Sequence, residues 1–181
     1  MRRLGTAALG LALTLTLAAA AHADSFDARR AADIATALTS HGASGSLKKS
    51  DNGHIYFDGQ AGELYFDVHF QDCDDARTLC KTLVLGGSWN TKDLTADQIN
   101  RWNRWTLYCP AYLETDGTPL IWYSVAVSNH TDPGDFSDGV SVWMGCLKDF
   151  DSFIGAPDDF LKRNTTGDAG PAPPPAAPPH G

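Results

Sequence analysis

The sequence predicts an α+β domain, one antiparallel sheet with helices packed on one of its faces. Three observations predict it. From Glu63 to Gln71, the residues Leu64, Phe66, Val68 and Phe70 alternate strictly with Tyr65, Asp67, His69 and Gln71. That period of two belongs to a strand with one buried and one wet face. Turn signals at Asp51-Asn52-Gly53 and Asp116-Gly117 join neighbouring strands tightly. Between the strand groups, Thr95 opens a helix: it pairs with Gln98 as a capping box, and Leu94 and Ile99 stand where a hydrophobic staple closes. Short turns between strands, with helices between strand groups, define this class.

Taken in order, Asp27 to His41 reads as a helix with Ala31, Ile34, Ala35 and Leu38 on one face, stopped by Gly42. Ser46 to Ser50 is polar and reads as an edge strand. His54 to Asp58 is a strand with Ile55 and Phe57 on one side and His54 and Tyr56 on the other, and Gly59 to Gly62 is read as its turn. After the Glu63–Gln71 strand, an acidic connector runs from Cys73 to Cys80. Lys81 to Leu85 is a strand ended by Gly86-Gly87. The capped helix then places Ile99, Trp102, Asn103 and Thr106 on one face. Leu107 to Leu113 is read as a strand with Leu107, Cys109, Ala111 and Leu113 inward, and Pro119 to Val127 as its hairpin partner. His130 to Asp138 is a polar loop. Ser141 caps a last helix whose stripe is Trp143, Cys146, Leu147, Phe150, Phe153 and Ile154, stopped by Gly155 and Pro157.

The two ends read differently. Residues 1–23 carry Arg2 and Arg3, an apolar run to about Ala20 and the small-x-small site Ala21-His22-Ala23, the pattern of a signal peptide cleaved after Ala23. Residues 24–163 form the domain. Residues 164–181, rich in Pro and Ala, read as an extended tail without a core. Without the leader, 12 basic residues face 22 acidic ones, a formal charge of about −10, which repels nucleic acid and anionic lipid. Export implies a periplasmic or secreted protein with no membrane insertion after cleavage.

All four cysteines, Cys73, Cys80, Cys109 and Cys146, lie in the exported part, and an even count there reads as two disulfides, with three pairings possible. Cys73 and Cys80 close a short loop. The rival reading adds His69 as a third metal ligand, but no fourth follows at suitable spacing. Cys109 and Cys146 lie on core-facing stripes, where either a bridge or two inert thiols would fit.

Among polar candidates, Asn103 of the Asn100-Arg101-Trp102-Asn103 run reads as a tie to neighbouring backbone, while Arg101 and Arg104 either grip an acidic partner or stand solvated. The wet sheet face is the candidate partner-binding surface: Tyr56, Tyr65, Tyr108 and Tyr112, with His54 and His69 and an undecided Trp122. Asp72, Asp74 and Asp75 read as solvated surface, and His130, Asp132 and Asp135 as a weak cation loop at most. No G-x-S-x-G, H-E-x-x-H or P-loop pattern is present, so no catalytic residue and no cofactor or metal is assigned.

Several features together resemble the YbjN domain family of bacterial sensory transduction regulators. They are the Ile99-Asn100-Arg101-Trp102-Asn103 block, the Asp116-Gly117-Thr118-Pro119 hairpin, Gly139-Val140-Ser141 before a Phe-rich helix, and the Cys73–Cys80 connector, spanning about Ala31 to Ile154. The resemblance implies a fold similar to type III secretion chaperones, a tendency to dimerise and to hold protein partners, and no enzymatic activity. The leading expectation is an exported, non-enzymatic regulatory or chaperone-like module holding an unknown protein or peptide partner, with a homodimer as one form of that association. The alternatives are a cell-envelope structural or stress-protective protein, and a small periplasmic metal-binding protein or hydrolase.

Overall fold

The structure, a computed structural model, describes residues 25–165; the leader and the Pro-rich stretch lie outside the described residues. The chain order is α1 (Ala31–Ser40), β1 (Ser44–Lys49), β2 (Ile55–Ala61), β3 (Leu64–Gln71), β4 (Thr82–Ser88), α2 (Ala96–Trp105), β5 (Ala111–Leu113), β6 (Pro119–Ala126), α3 (Pro133–Gly155) and α4 (Pro157–Thr165). The six strands form one sheet in the order β1-β2-β3-β4-β6-β5, antiparallel throughout. The expected α+β class is observed. Phe57, Phe66, Val68, Leu83, Leu85 and Ile121 bury one sheet face together with Ile34, Leu38, Ile99, Trp102, Trp143, Leu147 and Phe150 of the helices.

The helix cap at Thr95 forms as the residues dictate: its hydroxyl accepts from Gln98 N–H, and Gln98 Oε1 accepts from Thr95 N–H at 2.8 Å. Leu94 and Ile99 are both buried. α1 starts later than expected, because Asp27 closes a turn on Arg29 and Arg30 ahead of it. The Arg29 guanidinium holds the Asp27 carboxyl down at about 2, well below the usual range.

Other boundaries differ from expectation as well. β2 does not turn at Gly59 but continues to Ala61. Gly59 pairs with Gly45, and it is glycine because a Cβ there would meet the Phe57 ring at 2.5 Å. β4 likewise runs through Gly86-Gly87 to Ser88, both glycines being paired to β6. The strand expected from Leu107 shrinks to Ala111–Leu113, since Cys109 is drawn into the core and Pro110 supplies no N–H. Leu107 is 89% exposed rather than inward. α3 begins eight residues before Ser141: Asp132 caps it, accepting from Gly134 and Asp135 N–H, with Pro133 in the first turn. Ser141 lies inside that helix and bonds back to Ser137 O at 3.1 Å.

Gly155 does end α3, but Pro157 starts a further helix that burial of Phe160 and Leu161 anchors. Asn164 and Thr165 therefore belong to α4 rather than to the tail.

Both bridges form: Cys73 is bonded to Cys80, and Cys109 to Cys146 on α3. Within the first loop, Asp74 accepts from Thr78 N–H and Oγ–H and from Leu79 N–H, while Asp72 accepts from Thr82 Oγ–H at 2.7 Å. These acids organise a surface turn.

Candidate functional site

With every described helix on one side, the other sheet face stays open. Register fixes what it presents. Antiparallel partners share a face, so Tyr56 stands beside His69 and then Val84, Asp58 beside Asp67 and then Gly86 and Trp122, Gln60 beside Tyr65, and Ser88 beside Leu120 and Tyr112. Most of these residues line a shallow groove of about 450 Å³. A second hollow of about 860 Å³ joins it at Tyr56 and His69 and carries His54, Asp72 and Arg77. Tyr65 is 67% exposed, Tyr112 43% and Trp122 41%, a large solvated ring area for one face.

Asp67 sits at the centre. Its carboxylate lies over Gly86, where a Cβ would come within 2.9 Å of Oδ1, and 3.4 Å from His69 Nε2. Asp58, directly across the strand pair, is salt-bridged to Lys48. Burial pushes the Asp67 carboxyl above its usual range; the nearby His69 pulls it down, and Asp58 pushes it up.

A carboxylate with a raised folded pKa weakens the fold at every pH above that value, and the penalty fades as pH falls through it. Asp67→Asn is therefore expected to stabilise the protein at neutral pH and to be neutral in acid, where Asp67 is itself protonated. With the side chain 46% exposed, solvent screening keeps the gain under about 1 kcal/mol. Urea unfolding of both chains at neutral and acid pH checks this; a destabilised Asp67→Asn at neutral pH would refute it.

The structure brings together Tyr56, Tyr65, His69 and Tyr112 of the expected surface, places the undecided Trp122 with them and His54 in the adjoining hollow, and adds Asp58 and Asp67. It separates the others. Tyr108 is on the loop before β5, beside Trp105, Val142 and Asp149, because the shortened strand never carries it onto the sheet. Arg101 is paired with Asp158 of α4, and Arg104 lines a hollow with Trp105 and Asp158 on the helix side. Asn100 is exposed.

Trp102 and Asn103 have structural ties. Trp102 is fully buried and donates from Nε1 to Cys109 O at 2.8 Å. Asn103 donates to Ala111 O at 2.9 Å and accepts from Ala111 N–H at 2.7 Å. Asp132 is used as a helix cap, and among the described residues no three His, Cys, Asp or Glu side chains gather to hold a metal ion. Among those residues no helix is long and apolar enough to cross a membrane.

Trp122 is the residue least readable in the sequence, since its strand is apolar on both sides and gives no parity. Asp67 stands openly in the alternation, but its placement over Gly86 follows only from the register of β3 on β4.

These elements define a class: a disulfide-linked α+β domain with a helix-backed antiparallel sheet and one open, ring-lined face. The YbjN family model, described as "Putative bacterial sensory transduction regulator", matches residues 30–156, and the chain belongs to that family. No curated protein and no solved structure matches the chain.

Proposed function

We propose that this chain is an exported, non-enzymatic regulatory module that holds a segment of a protein partner on its open sheet face, in the manner of a chaperone. The observation that carries the reading is the groove itself: Tyr56, Tyr65, Tyr112 and Trp122 share a face whose other side is fixed by helices. Such rings supply contact area at low entropic cost and dominate binding where they cluster. Two disulfides support export to an oxidising compartment. Family membership supports a regulatory rather than catalytic role. Likeness to type III secretion chaperones, and self-association, are parts of this proposal.

The test begins with the protein purified from its native envelope, its co-purifying polypeptide identified by mass spectrometry and its affinity measured. Tyr65→Ala with Trp122→Ala is expected to weaken that affinity by roughly thirtyfold or more, the size of one interfacial hot spot. Both positions are exposed, so folding should survive. Unchanged affinity in the folded double variant would remove the sheet face from the proposal. Light scattering across concentration tests self-association.

A further inference from the structure

Between α1 and α3 the helix layer parts and leaves an apolar cavity of about 200 Å³ over the sheet. Val68, Leu83 and Leu85 form its floor, with Leu38 and Val140 among its walls. Its polar groups, Tyr123, Thr131 and Asp135, are all less buried than that floor and so belong to the mouth. A hydrogen bond fixes the spacing of the two helices: His41 Nε2, at the end of α1, lies 2.6 Å from Ser137 Oγ on α3.

Protein interiors leave few voids larger than a water molecule, because the lining of a void loses its dispersion contacts. An apolar hole of about 150 Å³ stays dry and takes up a benzene-sized guest. The cavity here is of that order, with an apolar floor and walls of the same kind and an open polar mouth. Its mouth selects against anions. The amides at the start of α3 are taken by Asp132, which accepts from Gly134 and Asp135 N–H, and the exposed Asp135 carboxylate adds negative charge. The whole chain carries a formal charge of −8.

We infer that this cavity binds a small, uncharged, largely apolar molecule whose polar end stays at Thr131 and Tyr123. The site lies on the opposite side of the sheet from the open groove, its floor alternating along β3 and β4 with the groove residues Asp67, His69, Val84 and Gly86.

The test uses 1-octanol and octanoate with the purified protein, read by calorimetry and methyl NMR. Octanol is expected to bind saturably, to shift the Leu83, Leu85 and Val140 methyl signals, and to raise Tm. Octanoate is expected to bind roughly tenfold more weakly, the effect of a like charge at a half-solvated mouth. Val140→Phe, or Val125→Phe from the sheet side, fills the space and should abolish the octanol shifts while the chain still melts cooperatively. If one of these fails to fold, the other decides the question. The inference is overturned by non-saturable octanol shifts, by octanoate binding as well as octanol, or by undiminished octanol binding in a folded filling variant. Methyl shifts that track protein concentration without octanol would give the cavity to a second copy and overturn it too.

Discussion

Trp102→Ala is expected to lower the unfolding free energy by about 5 kcal/mol, the upper end for a buried aromatic truncation. Trp102 is fully buried at the meeting point of three helices. Its ring lies 4.8 Å from Phe150 and 5.2 Å from Phe153 of α3, 5.9 Å from Phe160 of α4 and 5.1 Å from Trp105. Removing it opens a cavity walled by four other rings, too rigid a surround to collapse well. The Nε1–H bond to Cys109 O is lost as well, leaving a buried carbonyl short of a donor. Trp102→Phe keeps much of the volume but not the donor, so it should cost clearly less. Urea unfolding followed by far-UV circular dichroism separates the two. Equal losses for Ala and Phe would show that the hydrogen bond, not the packing, dominates.

Replacing Cys109 and Cys146 together by serine is expected to cost about 4 kcal/mol, mainly by freeing the unfolded chain. The two are 37 residues apart, and their bond ties the loop before β5 to the middle of α3. The Cys73–Cys80 pair, only 7 apart, constrains less, about 2.5 kcal/mol in the same chain-entropy account. The single-bridge variants should therefore rank in that order in urea. Reductant should lower the unfolding midpoint of the native chain by more than it lowers that of Cys109→Ser with Cys146→Ser. The reverse ranking would mean that the short loop carries an enthalpic role that chain entropy does not describe.

The fold is largely legible in the sequence because its signals are local. The capping box at Thr95 and the alternation of Leu64 to Gln71 are decided within a few residues, and both elements form as read. What does not read is long-range. Gly59, Gly86 and Gly87 look like stops, yet they sit inside strands, and glycine is there because a ring or carboxylate from a neighbouring strand, or Leu147 from α3, takes the space of a Cβ. Pro133 looks like part of a loop, yet Asp132 turns it into a helix start. Core-facing stripes place Cys109 and Cys146 in the interior without deciding whether they bond; three-dimensional proximity decides it.

The candidate site is half legible for the same reason. Tyr56, Tyr65 and His69 follow from strand parity, which the sequence carries. Tyr108 belongs to the face only if β5 extends back to Leu107, and it does not; Arg101 and Arg104 belong to the helix side. Trp122 and Asp67 acquire their places from pairing, through Gly86, and no local pattern announces that.

The tie between Asn103 and Ala111 has a bearing on the rim of the sheet. β5 is an outer strand, and the amide of Asn103 already occupies both backbone groups of Ala111, as a neighbouring strand would. At the opposite rim, β1 is polar, with Lys48 and Lys49 side by side, chemistry that discourages another chain from zippering on. Both borders are thus guarded against lateral growth. The protein should stay free of fibrils when concentrated, and any polypeptide it captures must lie across the sheet instead of lengthening it.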